Sequence, residues 1–323
     1  MFYNNKQVLV TGGTGFIGMH FVEALLQEGA RVRVPVHERP LPAEFSGKVE
    51  VMSADLTRQE DCLSALNGID YVFHAAGAVA AAAVTTSNPM AAITANLVLT
   101  SQVLQAAWTA KVGRVLIFSS STGYPAVNHP VKEEEMWTGS THPTYFGYGW
   151  MRRYLERLGE FVASKSSVKV AIARPSAVYG RHDNFDPKTS HVIPALIRRA
   201  VAKENPFVVW GTGEDVRDSL HVTDLVRGCL LLLEKHSIAD PVNIAYGKGY
   251  SIKETIEIIL KAAGHAKVDV RFDVTKPSTI PFRMMDTTKA KQLLDFEPRI
   301  AFEDGLRDTV AWYKQSIAPI NDY

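Results

Sequence analysis

The sequence predicts an α/β protein: a doubly wound parallel sheet with helices on both faces, followed by a smaller C-terminal α/β lobe. Three observations predict it. Short apolar runs alternate with amphipathic stretches through the first half of the chain. A glycine-rich turn joins the first apolar run to the first helix. The chain has 323 residues, 46% of them hydrophobic, which is enough for a sizeable core.

Taken in order, Val8 to Val10 predicts a buried strand, and Phe16 to Gln27 a helix with Phe16, Val22, Leu25 and Leu26 at helical spacing, ending at Gly29. Further strands are predicted over Arg31 to Val36, Val49 to Met52, Tyr71 to Ala75, Val115 to Ser119 and Val168 to Ala173. Helices are predicted between them over Gln59 to Leu66, Ile93 to Ala110 and Tyr148 to Ala163. Such β/α alternation implies right-handed crossovers, with ligands at the carboxyl ends of the strands. After Pro175 the rhythm changes. Gly180 to Pro187 is turn-rich, Val192 to Ala202 reads as a helix, Val208 to Trp210 as a short strand, and Phe302 to Lys314 as a closing helix, with a loop punctuated by Pro277 and Pro281. The stretch Val222 to Leu233 is a candidate for return to the large sheet.

Charge and cysteine usage narrow the partners. With 35 Lys+Arg against 34 Asp+Glu the net charge is +1, so no bulk field draws nucleic acid or an anionic membrane, and neither partner is expected. Cys62 and Cys229 stand far apart, without neighbours at metal-ligand spacing; buried thiols are expected, and no metal. The first apolar run starts straight after Lys6, leaving no room for a signal peptide. No apolar stretch is read as approaching the roughly 18 to 20 residues of a membrane span. A cytoplasmic protein is expected.

The turn Thr11-Gly12-Gly13-Thr14-Gly15-Phe16-Ile17-Gly18 follows a strand and opens a helix, the context of a Rossmann-type dinucleotide loop. Gly12 serves the tight turn, Gly15 the close approach of pyrophosphate, and Gly18 the packing of helix on strand. Thr14, Phe16 and Ile17 complete the loop at the helix N-terminus, where free N–H groups face phosphate. The second strand ends Val36-His37-Glu38-Arg39. Val36 takes the position where NAD sites carry a ribose-binding acid, and His37 and Arg39 suit a 2′-phosphate, favouring NADP; Glu38 keeps NAD as the alternative. Asp55-Leu56 either borders the adenine or caps a helix. The large dinucleotide-binding domain is placed at residues 1–178 plus about 218–245, and the smaller lobe at about 179–217 plus 246–323.

Ser119-Ser120-Ser121 ends the fifth strand and so faces the ligand edge. Tyr148 begins a helix with Arg152 one turn later on the same face, whereas Tyr145 and Tyr154 are followed at that spacing by Gly149 and Leu158. Tyr148 is the candidate proton donor.

These features, with Asp55-Leu56, His74-Ala75-Ala76 and Arg174-Pro175-x-x-x-Tyr179-Gly180, resemble the extended short-chain dehydrogenase/reductase family of nucleotide-sugar epimerases, reductases and dehydratases. Segments of the second half resemble the GDP-L-fucose synthase subgroup: His182-Asp183-Asn184-Phe185, Ser190 to Arg199, Val208 to Gly213, Leu220-His221-Val222-x-Asp224-Leu225 and Thr275-Lys276-Pro277 to Pro281. The resemblance implies that Ser120 hydrogen-bonds the sugar 4-oxygen while Tyr148 protonates it, and that His191 is an acid. It implies that Ala75, Ala76 and Pro175 line the cofactor. Val192, Arg199, Trp210, Arg217 and Arg283 then hold the nucleotide diphosphate of the sugar substrate. It also implies a homodimer through the helices of Ile93 to Ala110 and Tyr148 to Ala163.

Two positions depart from the family. Arg152 stands where its catalytic lysine stands, keeping the charge but not the compact shape. Thr122 stands where the subgroup has a cysteine base, and a threonine hydroxyl cannot readily take a proton from carbon. The expected function is NADP(H)-dependent hydride transfer at C4 of a GDP-linked 4-keto sugar, without 3,5-epimerisation. The alternatives are an epimerase or dehydratase that recycles bound NAD, and a catalytically weak dinucleotide-binding protein.

Overall fold

The computed structural model describes residues 1–78, 89–276 and 280–317; Pro277 of the resemblance lies outside them. In chain order the strands are β1 (Gln7–Thr11), β2 (Arg31–Val36), β3 (Glu50–Ser53), β4 (Tyr71–His74), β5 (Arg114–Phe118), β6 (Lys169–Pro175), β7 (Ala177–Tyr179), β8 (Phe207–Trp210), β9 (Val216–His221), β10 (Val242–Ile244), β11 (Gly249–Ser251), β12 (Val270–Asp273) and β13 (Phe282–Arg283). The helices are α1 (Phe16–Gln27), α2 (Gln59–Leu66), α3 (Pro89–Thr109), α4 (Phe146–Lys165), α5 (Val192–Val201), α6 (Val222–Lys235), α7 (Ile252–Ala263), α8 (Thr288–Leu294) and α9 (Phe302–Ser316).

Seven parallel strands form the large sheet in the order β10-β6-β5-β4-β1-β2-β3, the doubly wound arrangement expected. Its central strands are runs of Val, Leu and Ile because both faces are covered. On one face α1 and α6 contribute Phe21, Val22, Leu25, Leu225, Cys229 and Leu232 to the core. On the other, α2, α3 and α4 contribute Cys62, Leu66, Val103, Leu104 and Val162. Both cysteines are therefore buried free thiols. β1 lies between β4 and β2, so the chain order reverses there and a crevice opens at the strands' carboxyl ends.

α3 corrects one expectation. Met90–Thr109 is 20 residues long and apolar enough to cross a membrane by length and composition, because its polar residues are all uncharged. It packs between α2 and α4, burying Ala92, Val103, Leu104, Ala106 and Ala107, as an apolar core helix does.

The second part centres on β9, which pairs with β7, β11 and β13, while β12 and β8 form a separate parallel pair. α5, α7 and α9 close a core of Ile197, Phe207, Ile259, Leu306 and Val310 beside them. α6 and β10 return to the large sheet. Several of these elements escaped the sequence reading. β10 and β11 have three residues each and β13 two, too short for a period to show. α7 was legible: Ser251 and Glu254 form a reciprocal capping box, and Gly264 ends the helix with φ 71°.

Candidate active site

The glycine loop is shaped by the side chains it lacks. Gly12 has φ +69°, and a Cβ there would lie 2.7 Å from the backbone nitrogen of Ala76. A Cβ on Gly18 would lie 1.9 Å from the Gly12 carbonyl oxygen, so α1 can sit this close to β1 only with glycine. Gly15 N–H donates to that oxygen at 2.9 Å and caps α1 without any side-chain acceptor. The first-turn N–H groups of Phe16, Ile17 and Gly18 thus have no side-chain cap, and the half-buried Thr14 precedes them. These features fit a dinucleotide pyrophosphate: backbone donors, a helix N-terminus and no Cβ in the way.

The loop is tied to the next strands by buried polar groups. Ala76 N–H donates to Thr11 Oγ1 at 3.1 Å, and Thr11 Oγ1 lies 2.8 Å from His74 Nδ1. His74 Nε2 lies 3.1 Å from Thr100 Oγ1 on α3. Burial, with a smaller effect of the Arg152 charge, holds the His74 imidazole down to about 4, so it is neutral. Beyond β2, His37, Glu38 and Arg39 are exposed. The Asp55 carboxylate accepts from the backbone and hydroxyl of Thr57 at 3.0 and 2.7 Å, and those bonds depress its pKa; it works as a cap for the turn before α2. Leu56 is buried beneath it.

The opposite wall comes from β5 and α4. The α4 helix starts two residues earlier than expected, placing Tyr148 in its first turn. Arg152 Nη2 donates to Tyr148 Oη at 2.6 Å and to Asn96 Oδ1 at 3.4 Å, and Nη1 donates to the Phe118 carbonyl at 3.0 Å. Its Nε is buried without a partner. Ser120 caps the 3-10 turn Ser121–Gly123, and its Oγ accepts from Thr122 N and Oγ1. Pro175 ends β6 half-buried, in register with Ile244.

The β9 region approaches this wall. Arg283 on β13 lies in register with Arg217 on β9 and donates to the carbonyl of Pro125 at 3.1 Å. Its Nη2 is buried without a hydrogen-bond partner. Burial first, with the Arg217 charge opposing Tyr145, lowers its pKa to about 10. Arg217 donates to the Val216 carbonyl at 2.9 Å and to Asp215 Oδ2 at 3.2 Å. Trp210 is 67% exposed at the end of β8, with Lys276 Nζ 5.9 Å from its ring centroid. His191 stands exposed at the N-cap of α5, next to exposed Val192. Arg199 is committed elsewhere: it donates to Glu204 Oε2 and the Val208 carbonyl, both at 2.6 Å, and stacks on Phe207. Holding phosphate would require it to release Glu204.

Sequence reasoning missed Asn96, which joins α3 to Arg152 and is buried, its amide donating to the carbonyls of Ala92 and Ala78 at 2.6 and 2.8 Å. A lone asparagine inside a charge-free helix was the available signal. It also missed Arg153, buried beneath the Ser121–Gly123 turn and donating to Gly123 O at 2.8 Å.

The profile of the NAD dependent epimerase/dehydratase family matches residues 8–245. GDP-L-fucose synthase 1 of Arabidopsis thaliana is 31% identical over 321 residues, covering 97% of this chain and 94% of that protein. The dTDP-4-dehydro-6-deoxy-D-allose reductase of Streptomyces bikiniensis is 32% identical over 318 residues, 96% of each chain. The crystal structure of UDP-glucose 4-epimerase from Thermotoga maritima with UDP-glucose has a TM-score of 0.85 at 26% identity, covering 96% of this chain and 99% of that one.

Proposed function

Because the chain belongs to the NAD dependent epimerase/dehydratase family, an enzyme family, we propose that it is an NADP(H)-dependent reductase acting at C4 of a GDP-linked 4-keto sugar without 3,5-epimerisation. The observation that carries this reading is the 2.6 Å hydrogen bond from Arg152 to the Tyr148 phenol oxygen, beside the Ser120 turn. The chemistry the dinucleotide supplies when bound is the hydride that C4 takes up. Tyr148 gives its proton to the sugar 4-oxygen, so the carbonyl becomes an alcohol and the phenolate later regains a proton from solvent. Arg152 stabilises the charge left on the phenol oxygen, and a charge-assisted bond suits that task. Ser120 donates to the same sugar oxygen. Thr122 offers no base at C3 or C5, which supports reduction alone. One relative is itself named as a 4-dehydro sugar reductase.

The Arg217–Arg283 pair supports a diphosphate in the cleft, since the unpartnered Arg283 Nη2 lacks only an acceptor such as a phosphate oxygen. His37 and Arg39, exposed past β2, support the 2′-phosphate of NADP. The homodimer is supported by exposed Met90 and Trp108 on α3 and by Phe146, Trp150 and Tyr154, spaced four apart on α4.

The test is loss of reduced-nicotinamide absorbance when the enzyme meets GDP- or dTDP-linked 4-keto-6-deoxy sugars. Stoichiometric oxidation is expected, faster with NADPH than with NADH and with the GDP sugar than with the dTDP sugar. No turnover across these sugars would overturn the reading; co-purified NAD without net consumption would replace it with an epimerase.

A further inference from the structure

We infer that Thr122 is a positioning residue that fixes the direction of the Ser120 hydroxyl, making Ser120 a committed donor toward an acceptor in the cleft. The inference rests on the reductase reading above for the identity of that acceptor, the sugar carbonyl oxygen.

Ser120 Oγ accepts the Thr122 backbone N–H at 3.2 Å and the Thr122 hydroxyl at 2.9 Å. A serine hydroxyl has two acceptor lone pairs and one hydrogen. When the Thr122 hydroxyl donates to the second lone pair, only the Ser120 hydrogen is left to meet a ligand. A ketone oxygen accepts and cannot donate, so it is the matching partner. An alcohol oxygen can accept the same hydrogen but must direct its own hydrogen away from Ser120. The chain Thr122 O–H to Ser120 O–H to carbonyl runs in one direction, and each bond polarises the next.

The arrangement is held rigidly. Ser120 is extended, with φ −162° and ψ 151°, and caps the Ser121–Gly123 turn. α4 presses on this turn at Gly149, where a Cβ would lie 2.5 Å from the Thr122 carbonyl oxygen. Arg153 donates to the Gly123 carbonyl at 2.8 Å from the same helix. Tyr148 immediately precedes Gly149, so the phenol stands on the same helical turn that packs against the serine turn. The threonine thus has a positive role: its side chain orients the serine that polarises the carbonyl.

Thr122→Val and Thr122→Ser test this in the holoenzyme. Thr122→Val is expected to lower kcat roughly tenfold with KM for both substrates within about twofold, and Thr122→Ser to recover to within about threefold of wild type. Wild-type kcat in Thr122→Val, or a Thr122→Ser enzyme as slow as Thr122→Val, would overturn the inference. A second readout needs no substrate: thermal unfolding of Ser120→Ala, Thr122→Val and the double variant. The double variant is expected to unfold at the temperature of the less stable single one, because the two share one bond. Additive losses would overturn the pairing. Coupling in this cycle together with no turnover of any 4-keto sugar would sink the reductase reading and leave the pairing standing.

Discussion

The two walls of the cleft are rigid for opposite reasons. The wall of β1 and α1 depends on atoms that are missing: at Gly12 and Gly18 an added Cβ would fall 2.7 and 1.9 Å from backbone atoms. The wall of β5 and α4 depends on side chains that bond across it, with Arg152 spanning Tyr148, Phe118 and Asn96. At Gly12 and Gly18 the first wall should tolerate no extra volume, whereas the second should tolerate volume changes better than the loss of a donor.

The largest effect is expected at the second wall. Tyr148→Phe keeps the ring and removes the proton, so kcat should fall about 10² to 10⁴-fold, with KM and melting temperature nearly unchanged. A Tyr148→Phe enzyme within about twofold of wild type would move the acid elsewhere. At the first wall, Gly18→Ala should weaken dinucleotide binding on the order of 100-fold, measured by fluorescence titration, and lower the melting temperature as well. Gly15→Ala separates the two effects: its Cβ would meet only the Gly12 carbonyl oxygen, at 3.3 Å, so folding should survive while pyrophosphate approach is impaired. Equal melting losses in the two variants would show that the loop's glycines serve packing alone.

Arg152→Lys probes the departure from the family. An ammonium on a longer stem cannot hold Phe118 O and Tyr148 Oη with a planar fork, so kcat is expected to fall about tenfold. A large gain instead would mark the arginine as damage to an older site.

A last effect, on stability rather than turnover, links the walls through His74. Its folded pKa is about 4 against roughly 6.5 in the unfolded chain, so the unfolded state binds the extra proton between those values. His74 therefore stabilises nothing extra above pH 6.5, and the wild type loses about 1.4 kcal/mol per pH unit below it relative to a non-titrating side chain. The melting difference between wild type and His74→Asn should shrink as pH falls from 6.5 toward 4. A constant difference would show that His74 is not buried and neutral.

What the sequence disclosed follows the same division. The glycine loop and the large sheet were legible because they depend on backbone conformation and on apolar runs that recur in order. Tyr148 and Arg152 were legible because helical spacing puts them on one face. Asn96 and Arg153 were not, since their partners are carbonyls and side chains distant in sequence. Asp55 shows a limit of another kind: sequence left adenine contact and helix capping open, and the bonds from Thr57 place its carboxylate in a turn ahead of α2, whose N-cap is Arg58. Arg199 has a partner that the resemblance does not reveal: Glu204, five residues on, pairs with it. Around β9, strands of two or three residues carry no period to read, so the wall bearing Arg217 and Arg283 emerged only with the fold.

The most direct test of C4 reduction without epimerisation is turnover in deuterated water, with the product examined by NMR. One hydrogen from the reduced nicotinamide is expected at C4, and no solvent deuterium on C3 or C5. Deuterium at C3 or C5 would show a working carbon base and contradict reduction without epimerisation; a product without nicotinamide hydrogen at C4 would contradict the reductase itself.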